Sequence, residues 1–318
     1  MEKAMKGTRF FLLMLLCLLL MGTANADVLF DETLSAFPVE KAGGGYEAFG
    51  PLPFDGEDQG EGLLEIWFGR VSVCDCFVVR CNGETMMIDG GTTSHSEATR
   101  LLLDKLHITG VDYLFNTHSH DDHLQAQEYL VRKLGFNAGV FLSPYEVGTG
   151  DKLMKKMWAT VENRQIPVRT LAHGDTLMLG GEEGALVQFF RWTGSTNLNE
   201  TSMMCKITYK DRSVYLMADV IGKGQKALVR EYMDEIPFDA DIFKLGHHGY
   251  NRQETEILDA ISPELCVVTN SAAGAKQAID QLKGRQMEYR ITNAGTIYAR
   301  TDGGENWYYT QDKSYKKN

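Results

Sequence analysis

Residues 118–123 read His-Ser-His-Asp-Asp-His, which places three imidazoles and two carboxylates within six residues. Histidine is rare in this chain, with eight among 318 residues, so the cluster is unusual for the composition. Imidazole nitrogen and carboxylate oxygen both bind Zn²⁺ at about 2.0–2.2 Å. His118 and His120 can reach one cation, while the adjacent pair Asp122 and His123 reaches a second. The hexapeptide therefore predicts a site for two metal ions, with a solvated loop that binds metal adventitiously as the alternative.

Strand-like and helix-like patterns alternate around this hexapeptide. It directly follows a strand-like run at 111–116 and precedes a helical pattern at 124–133. A turn at Asn82-Gly83 predicts a hairpin, and a further helical pattern covers about 94–106. The other strand-like runs are 64–68, 76–80, 84–88, 186–190, 203–207, 214–217, 242–245 and 266–268. This alternation predicts two sheets flanked by helices.

Further acidic residues and histidines follow other predicted strands, where loops can gather them at one edge of the sheets. Asp219 ends the apolar run 214–218, where a carboxylate is costly unless it is paired or bound to metal. We therefore expect Asp219 to be a bridging metal ligand, with a turn or helix N-cap aspartate as the alternative. Asp89 precedes two glycines and is typical of a turn, so we expect it to support the site by orienting a ligand. His247 and His248 follow the run 242–245 and are expected at the same edge.

The N-terminus has the composition of a secretory signal peptide. Basic residues precede an apolar run at 10–21, which ends before Ala24-Asn25-Ala26. The run is shorter than the roughly 20 residues that span a bilayer, and no later segment is apolar enough to span one. We expect residues 1–26 to be a signal peptide cleaved after Ala26, with an uncleaved anchor as the alternative. The protein is therefore expected to be secreted, without a transmembrane segment after cleavage.

Composition separates a leader from the rest of the chain. Residues 27–62 are acidic and rich in glycine, so we expect a flexible leader there, followed by one hydrolase-sized domain at 63–318. The net charge of −11 predicts an acidic surface that disfavours long nucleic acid as a partner. An odd number of cysteines would remain after cleavage, so at least one thiol is expected to stay free. These cysteines are Cys74, Cys76, Cys81, Cys205 and Cys266. We expect Cys74 and Cys76 to be buried sheet residues rather than a second metal site.

In content and order, four motifs resemble those of the metallo-β-lactamase fold family. They are Met-Met-Ile-Asp-Gly-Gly at 86–91, Thr-His-Ser-His-Asp-Asp-His at 117–123, Leu-Met-Ala-Asp at 216–219 and Lys-Leu-Gly-His-His-Gly at 244–249. The resemblance covers residues 63–304 and implies an α/β fold, the four-layer αββα sandwich. The last motif, together with 261–268 and 292–297, is similar to the ComEC-like branch. That branch includes exported phosphorylcholine esterases acting on cell-wall teichoic acid and the hydrolase domains of competence proteins.

The resemblance also implies two sets of ligands. The first metal would take His118, His120 and Asp219 with oxygen donors near Asn199 and Ser202, and the second Asp122, His123, Asp219 and one of His247 and His248. Asn199 to Met203 stands where other branches present a third histidine. Adjacent residues cannot easily face one ion, so whichever of the two histidines does not bind the metal is expected to contact substrate or transfer a proton. Asp122, His247 and His248 are the candidate catalytic residues. Tyr250 replaces the serine usual in the branch and is a candidate pocket wall.

Two metal ions imply hydrolytic chemistry. Shared coordination lowers the pKa of bound water and yields a metal-bound hydroxide, while the second cation polarises a substrate oxygen. Two cations suit a phosphodiester, whose non-bridging oxygens gather charge in the transition state. We therefore expect an exported dinuclear phosphodiesterase acting on a small-molecule or cell-wall substrate. The metals are expected to be Zn²⁺, with Mn²⁺ open because carboxylates share the ligation. The alternatives are a lactamase or lactonase, which the missing third histidine disfavours, and a non-catalytic exported metal-binding module.

Overall fold

The computed structural model describes residues 62–305 and 307–311. The expected signal peptide, and the expected leader up to residue 61, lie outside the described residues. Within the described part of the chain, no helix has the length and apolar character needed to cross a membrane.

Two β-sheets form the centre of the fold. The first has eight strands in the order β15-β14-β1-β2-β3-β4-β5-β6, and the second has seven in the order β13-β12-β11-β10-β9-β8-β7. The strands are β1 (Leu64–Phe68), β2 (Phe77–Cys81), β3 (Glu84–Ile88), β4 (Gly110–Phe115), β5 (Asn137–Ser143), β6 (Val168–Thr170), β7 (Thr176–Leu179), β8 (Ala185–Phe190), β9 (Met204–Tyr209), β10 (Arg212–Leu216), β11 (Ile242–Lys244), β12 (Leu265–Val268), β13 (Tyr289–Ile291), β14 (Ile297–Thr301) and β15 (Tyr308–Gln311). The hairpin between β2 and β3 turns at Asn82 and Gly83, both of which have positive φ, as this dipeptide favours.

Six α-helices are present among the described residues. They are α1 (Ser96–Lys105), α2 (Asp121–Lys133), α3 (Lys152–Asn163), α4 (Lys223–Tyr232), α5 (Thr255–Ile261) and α6 (Lys276–Gly284). Helix α2 begins with two aspartates and ends with Arg132 and Lys133, which matches the helix dipole at both ends. Helix α3 is capped by Asp151, whose Oδ1 accepts a hydrogen bond from the backbone N–H of Met154 at 2.9 Å.

Three apolar clusters separate four layers. Strands β1 to β3 face β8 to β10 across the first cluster, in which Ile66 and Val79 of the first sheet share a core with Ile207 of the second. The second cluster joins the outer face of the first sheet to helices α1 to α3, and the third joins the second sheet to α4 to α6. Both faces of each sheet are thus buried, so strands such as β12, Leu-Cys-Val-Val, are apolar throughout rather than alternating. The predicted αββα sandwich is confirmed.

The topology brings the ends of four strands to one edge. Strands β3 and β4 pair in parallel, and so do β10 and β11. Asp89 directly follows β3, the hexapeptide follows β4, Asp219 follows β10, and the two adjacent histidines follow β11. Since the carboxyl ends of parallel strands meet at the same edge, residues distant in sequence converge there.

Candidate metal centre

Asp219 lies at the centre of the converging side chains. Its Oδ2 is 3.7 Å from His118 Nε2 and 3.3 Å from His123 Nε2, and its Oδ1 is 3.5 Å from His248 Nε2. The side chain is buried, and its backbone N–H donates to Ser202 Oγ at 3.0 Å. One carboxylate therefore contacts imidazoles from both ends of the hexapeptide and from the last motif, which is the arrangement of a ligand shared by two ions.

The first group of ligand atoms comes from His118, His120 and Asp219. His118 Nε2 lies 3.0 Å from His120 Nδ1. Two nitrogens bound to one tetrahedral Zn²⁺ at about 2.0–2.1 Å are about 3.3 Å apart, so this spacing suits a shared ion. The two imidazoles stand at the start of α2, where His120 is only partly buried.

The second group centres on His123 and His248, and each imidazole has its Nδ1 against a carboxylate. His123 Nδ1 is 2.6 Å from Asp89 Oδ2, and His248 Nδ1 is 3.0 Å from Asp75 Oδ1. Donation of Nδ1–H to a carboxylate leaves Nε2 with its lone pair free to bind metal. Both Nε2 atoms and Asp219 Oδ1 are buried and lack a hydrogen-bond partner in the described part of the chain. Buried polar atoms that converge without partners fit a divalent cation.

Asp122 lies at the mouth of this second group. Its Oδ2 is 3.2 Å from His248 Nε2, and its Oδ1 is 3.8 Å from His123 Nε2. The side chain is partly exposed, unlike those of the two histidines. Asp122 therefore offers an oxygen donor on the solvent side, whereas Asp219 offers one from beneath.

The structure separates the roles of the two adjacent histidines. His247 and His248 both have left-handed backbone conformations, with φ of 48° and 54°. The His248 ring is buried in the second group, whereas His247 is 26% exposed. His247 Nε2 is 4.0 Å from Asp219 Oδ2 and 3.3 Å from Asn199 Nδ2. The sequence left this choice open, and the geometry places His248 with the ligands and His247 at the mouth.

A close approach of two loops fixes the position of this pair. A Cβ on Gly246 would lie 2.2 Å from the carbonyl oxygen of Val220, so only glycine fits there. His247 N–H donates to the carbonyl oxygen of Ala218 at 3.1 Å. The loop after β11 therefore packs directly on the loop that carries Asp219.

Sequence reasoning missed two buried residues of the site, Asp75 and Lys244. Asp75 lies in the loop before β2, and its Oδ1 accepts from Thr269 Oγ1 at 2.7 Å as well as contacting His248. Lys244 Nζ contacts Asp75 Oδ2, donates to the carbonyl oxygen of Ala218 at 2.7 Å and lies 3.9 Å from Asp219 Oδ1. Both side chains are fully buried. Asp75 therefore orients His248 and is itself held by the ammonium group of Lys244.

Asp89 lies where it can orient a ligand. Besides His123, it accepts hydrogen bonds from the backbone N–H and the hydroxyl of Thr117, at 2.9 and 2.7 Å. Asn116 Nδ2 donates to the same carboxylate at 3.2 Å. Both carboxylate oxygens are thus engaged by protein groups, so Asp89 acts through His123 rather than as a ligand.

Ser202 and Asn199 occupy different places. Ser202 Oγ donates to the carbonyl oxygen of Asn199 at 2.8 Å and accepts from the backbone N–H of Asp219, so the hydroxyl holds the loop together. It is therefore engaged within the protein rather than free to ligate. Asn199 lies beside His247, and its Oδ1 is buried without a hydrogen-bond partner among the described residues. Asn199 rather than Ser202 presents an oxygen donor near the centre.

A family model described as the metallo-beta-lactamase superfamily matches residues 69–266. The chain belongs to this superfamily. Comparison with curated proteins found no match. The narrower resemblance of this superfamily member to the ComEC-like branch stays a prediction.

Solved structures of low sequence identity are similar to this superfamily member. They include CmlA, a diiron beta-hydroxylase from Streptomyces venezuelae (14% identity, TM-score 0.48, 71% of this chain and 52% of that chain), Igni18, a metallo hydrolase from Ignicoccus hospitalis (16%, 0.43, 74% and 98%), and the short form of human tRNase Z (16%, 0.43, 71% and 95%). The chain thus spans about half the length of CmlA.

The carboxylates and imidazoles of this superfamily member shift each other's pKa values. Burial disfavours the charged form of His248, but Asp219 and Asp75 outweigh it and raise the pKa to about 9. The same balance, with Asp219 and Asp89, holds the pKa of His123 well above its ordinary value. Burial would raise the pKa of Asp219, yet His248 and His123 hold it well below the usual range. Without metal, protonated imidazoles therefore supply the positive charge that bound cations would replace.

The site opens to solvent beside the hexapeptide. A cleft of about 670 Å³ is lined by His120 and Asp122 on one side and by the start of α3 on the other. Tyr250, the predicted pocket wall, is not among the residues that line this cleft; it is 42% exposed, with its ring 5.4 Å from that of His247. The cleft therefore gives a substrate access to the ligand groups from the side of His120 and Asp122.

Proposed function

We propose that the protein is an exported dinuclear metal-dependent phosphodiesterase. The observation that carries this proposal is the convergence of unpartnered, buried His123 Nε2, His248 Nε2 and Asp219 Oδ1 in one centre, while the other oxygen of Asp219 faces His118. This arrangement supports two cations that share Asp219. Zn²⁺ suits the imidazole donors, and Mn²⁺ suits the carboxylate share.

The residues of the centre have three roles in the proposed hydrolysis: metal binding, orientation of the metal-binding histidines, and contact with the substrate. His118, His120 and Asp219 would hold one cation, and Asp122, His123, His248 and Asp219 the other. When bound, the two cations lower the pKa of a water molecule and polarise a phosphoryl oxygen. Asp89 and Asp75 keep Nδ1 of His123 and His248 engaged, so that each Nε2 faces the centre. His247, partly exposed at the mouth, is in position to contact the phosphoryl or leaving-group oxygen.

The open first group supports a phosphodiester over a lactam or lactone. Among the residues that the structure describes, two imidazoles and Asp219 form this group, and Asn199 stands where a third histidine is expected in other branches. Fewer protein ligands leave positions for the non-bridging oxygens of a substrate phosphate. The acidic chain favours a small-molecule or cell-wall substrate over nucleic acid, as in the ComEC-like branch that the motifs resemble.

The test pairs metal content with turnover in one preparation. Purified chain would be assayed for bound metal by mass spectrometry and for hydrolysis of bis-p-nitrophenyl phosphate, p-nitrophenylphosphorylcholine and a chromogenic β-lactam. We expect about two metals per chain and cleavage of the phosphodiesters. Cleavage of the β-lactam alone would replace the proposal with ring opening, and metal without turnover of any of the three would favour a binding module.

Export is tested separately. Expression of the full chain with fractionation of the culture is expected to place the protein outside the cytoplasm, with an N-terminus at Asp27. A cytoplasmic product that retains residue 1 would refute export without affecting the enzymatic proposal.

A further inference from the structure

The cleft beside the metal centre has one wall that carries two lysines. On one side are Ser119, His120 and Asp122, which belong to the hexapeptide. On the other side are Lys152 and Lys156, one turn apart on α3. The chain has a net charge of −11, so two lysines on one wall of the cleft beside the metal ligands stand out from the acidic surroundings.

The carboxylates in the cleft are already engaged. Asp151 Oδ2 accepts a hydrogen bond from Ser119 Oγ at 2.6 Å, while its Oδ1 caps α3. Asp122 Oδ2 faces His248 Nε2 at 3.2 Å. Asp121 stands in the first turn of α2, where the helix dipole stabilises its charge. Asp122 and Asp151 are therefore engaged by neighbouring protein groups, and the dipole of α2 offsets part of the charge of Asp121.

The lysines leave positive charge uncompensated. Lys156 Nζ is 2.7 Å from Glu128 Oε2, but this buried carboxylate also pairs with Arg132, so two cations share one anion. Lys152 also lines the cleft, and it has no carboxylate within ion-pair distance among the described residues. Lys152 is also the first residue of α3, where the helix dipole adds positive potential.

We propose that this wall binds a second anionic group of the substrate, a phosphate held by Lys152 and Lys156 while the scissile phosphodiester lies at the metal centre. This inference rests on the proposed function for the position of the scissile bond. It narrows the substrate to a short phosphodiester that carries an additional phosphate. A neutral ring ester or amide would leave Lys152 without an anionic partner and Lys156 with only its shared contact to Glu128.

The experiment compares two p-nitrophenyl esters of thymidylate, one of which carries an additional phosphate on the other sugar hydroxyl. Both have the same leaving group, so their kcat/KM values differ only through the extra phosphate. The variants are Lys152→Gln, Lys152→Glu and the double variant Lys152→Gln/Lys156→Gln. Lys155→Gln is the matched control, since Lys155 is exposed on the same helix but does not line the cleft. Metal content is measured for each variant.

We expect the wild type to prefer the ester with the additional phosphate. Lys152→Gln should reduce its kcat/KM by about threefold and the double variant by about tenfold, as expected for exposed ion pairs. The charge reversal Lys152→Glu should abolish the preference. The other ester should be cleaved equally by all variants, and their metal content should be unchanged. Equal preference in Lys152→Gln and Lys155→Gln would overturn the inference.

Binding separates this inference from the proposed function. If a fully metal-loaded chain cleaves neither ester, the proposed function fails, and calorimetric titration with thymidine bisphosphate then decides the subsite alone. Weaker binding by Lys152→Gln than by Lys155→Gln supports a phosphate subsite. Equal binding by these two variants, or no binding by the wild type, refutes it.

Discussion

Replacing Asp75 by alanine should lower both the stability of the fold and the affinity of the metal centre, because Asp75 pairs with the buried Lys244 and orients His248. Asp75→Ala leaves the ammonium group of Lys244 fully buried without its carboxylate, and it removes the acceptor 3.0 Å from His248 Nδ1. Breaking one partner of a buried ion pair costs about 3–5 kcal/mol of unfolding free energy. Loss of a group that orients a metal-binding histidine weakens metal affinity by about 10–100-fold.

A second substitution separates these two effects. In the double variant Asp75→Ala/Lys244→Met both buried charges are gone, so most of the lost stability should return. His248 still lacks the Asp75 carboxylate and keeps only the hydroxyl of Thr269, 3.1 Å from its Nδ1, so metal affinity should stay weak. Denaturant unfolding of chelator-treated protein measures the first quantity, and competition with a metal-binding dye measures the second. Asp280→Ala, which breaks the exposed pair with Lys276, is the control and should alter neither.

Two results would refute the reasoning. If the double variant binds metal as tightly as the wild type, Asp75 does not orient His248. If Asp75→Ala unfolds at the same denaturant concentration as the wild type, the buried lysine does not depend on this carboxylate.

Three further outcomes are expected. Asp219→Ala should lower metal content well below two per chain and reduce turnover at least about a hundredfold, measured on one preparation; retention of both metals would contradict a shared ligand. His248→Gln should lose metal as well as turnover, whereas His247→Gln should keep its metal and lose turnover, and equal metal retention by both would contradict the geometry. Because the folded-state pKa of His248 is raised from 6.5 to about 9, its contribution to the stability of metal-free protein is complete below about pH 6.5 and is lost as pH rises through 9, a loss of up to about 3 kcal/mol. The raised pKa of His123 acts in the same direction. Unfolding of chelator-treated protein at pH 6 and pH 10 measures this loss, and a flat profile would contradict it.

The layers and most of the ligands could be predicted because their signals are local. The hexapeptide at 118–123 and the apolar run before Asp219 carry their chemistry in consecutive residues. Strands buried on both faces read as continuous apolar runs, which located most of the central strands. Short edge strands such as β6 and β13, with three residues each, carry too little pattern to be found.

The rest of the site depends on tertiary contacts that no local pattern encodes. Asp75 sits between two buried cysteines, so its flanks read as a strand, and its partners lie more than 160 positions away in the chain. Lys244 completes a three-residue strand and resembles a strand end facing solvent. The choice between His247 and His248 is set by backbone angles that the adjacent histidines do not reveal.

The left-handed backbone at His247 and His248 lowers the stability of the fold, yet the side chains at these two positions are needed for activity. Left-handed geometry costs a residue with a side chain roughly 1–2 kcal/mol, a cost from which glycine is largely free. His247→Gly should therefore give a protein that withstands more denaturant than the wild type yet turns over less substrate. Saturation mutagenesis of position 247 with selection for heat resistance alone should recover glycine, and the survivors should be well-folded but inactive chains.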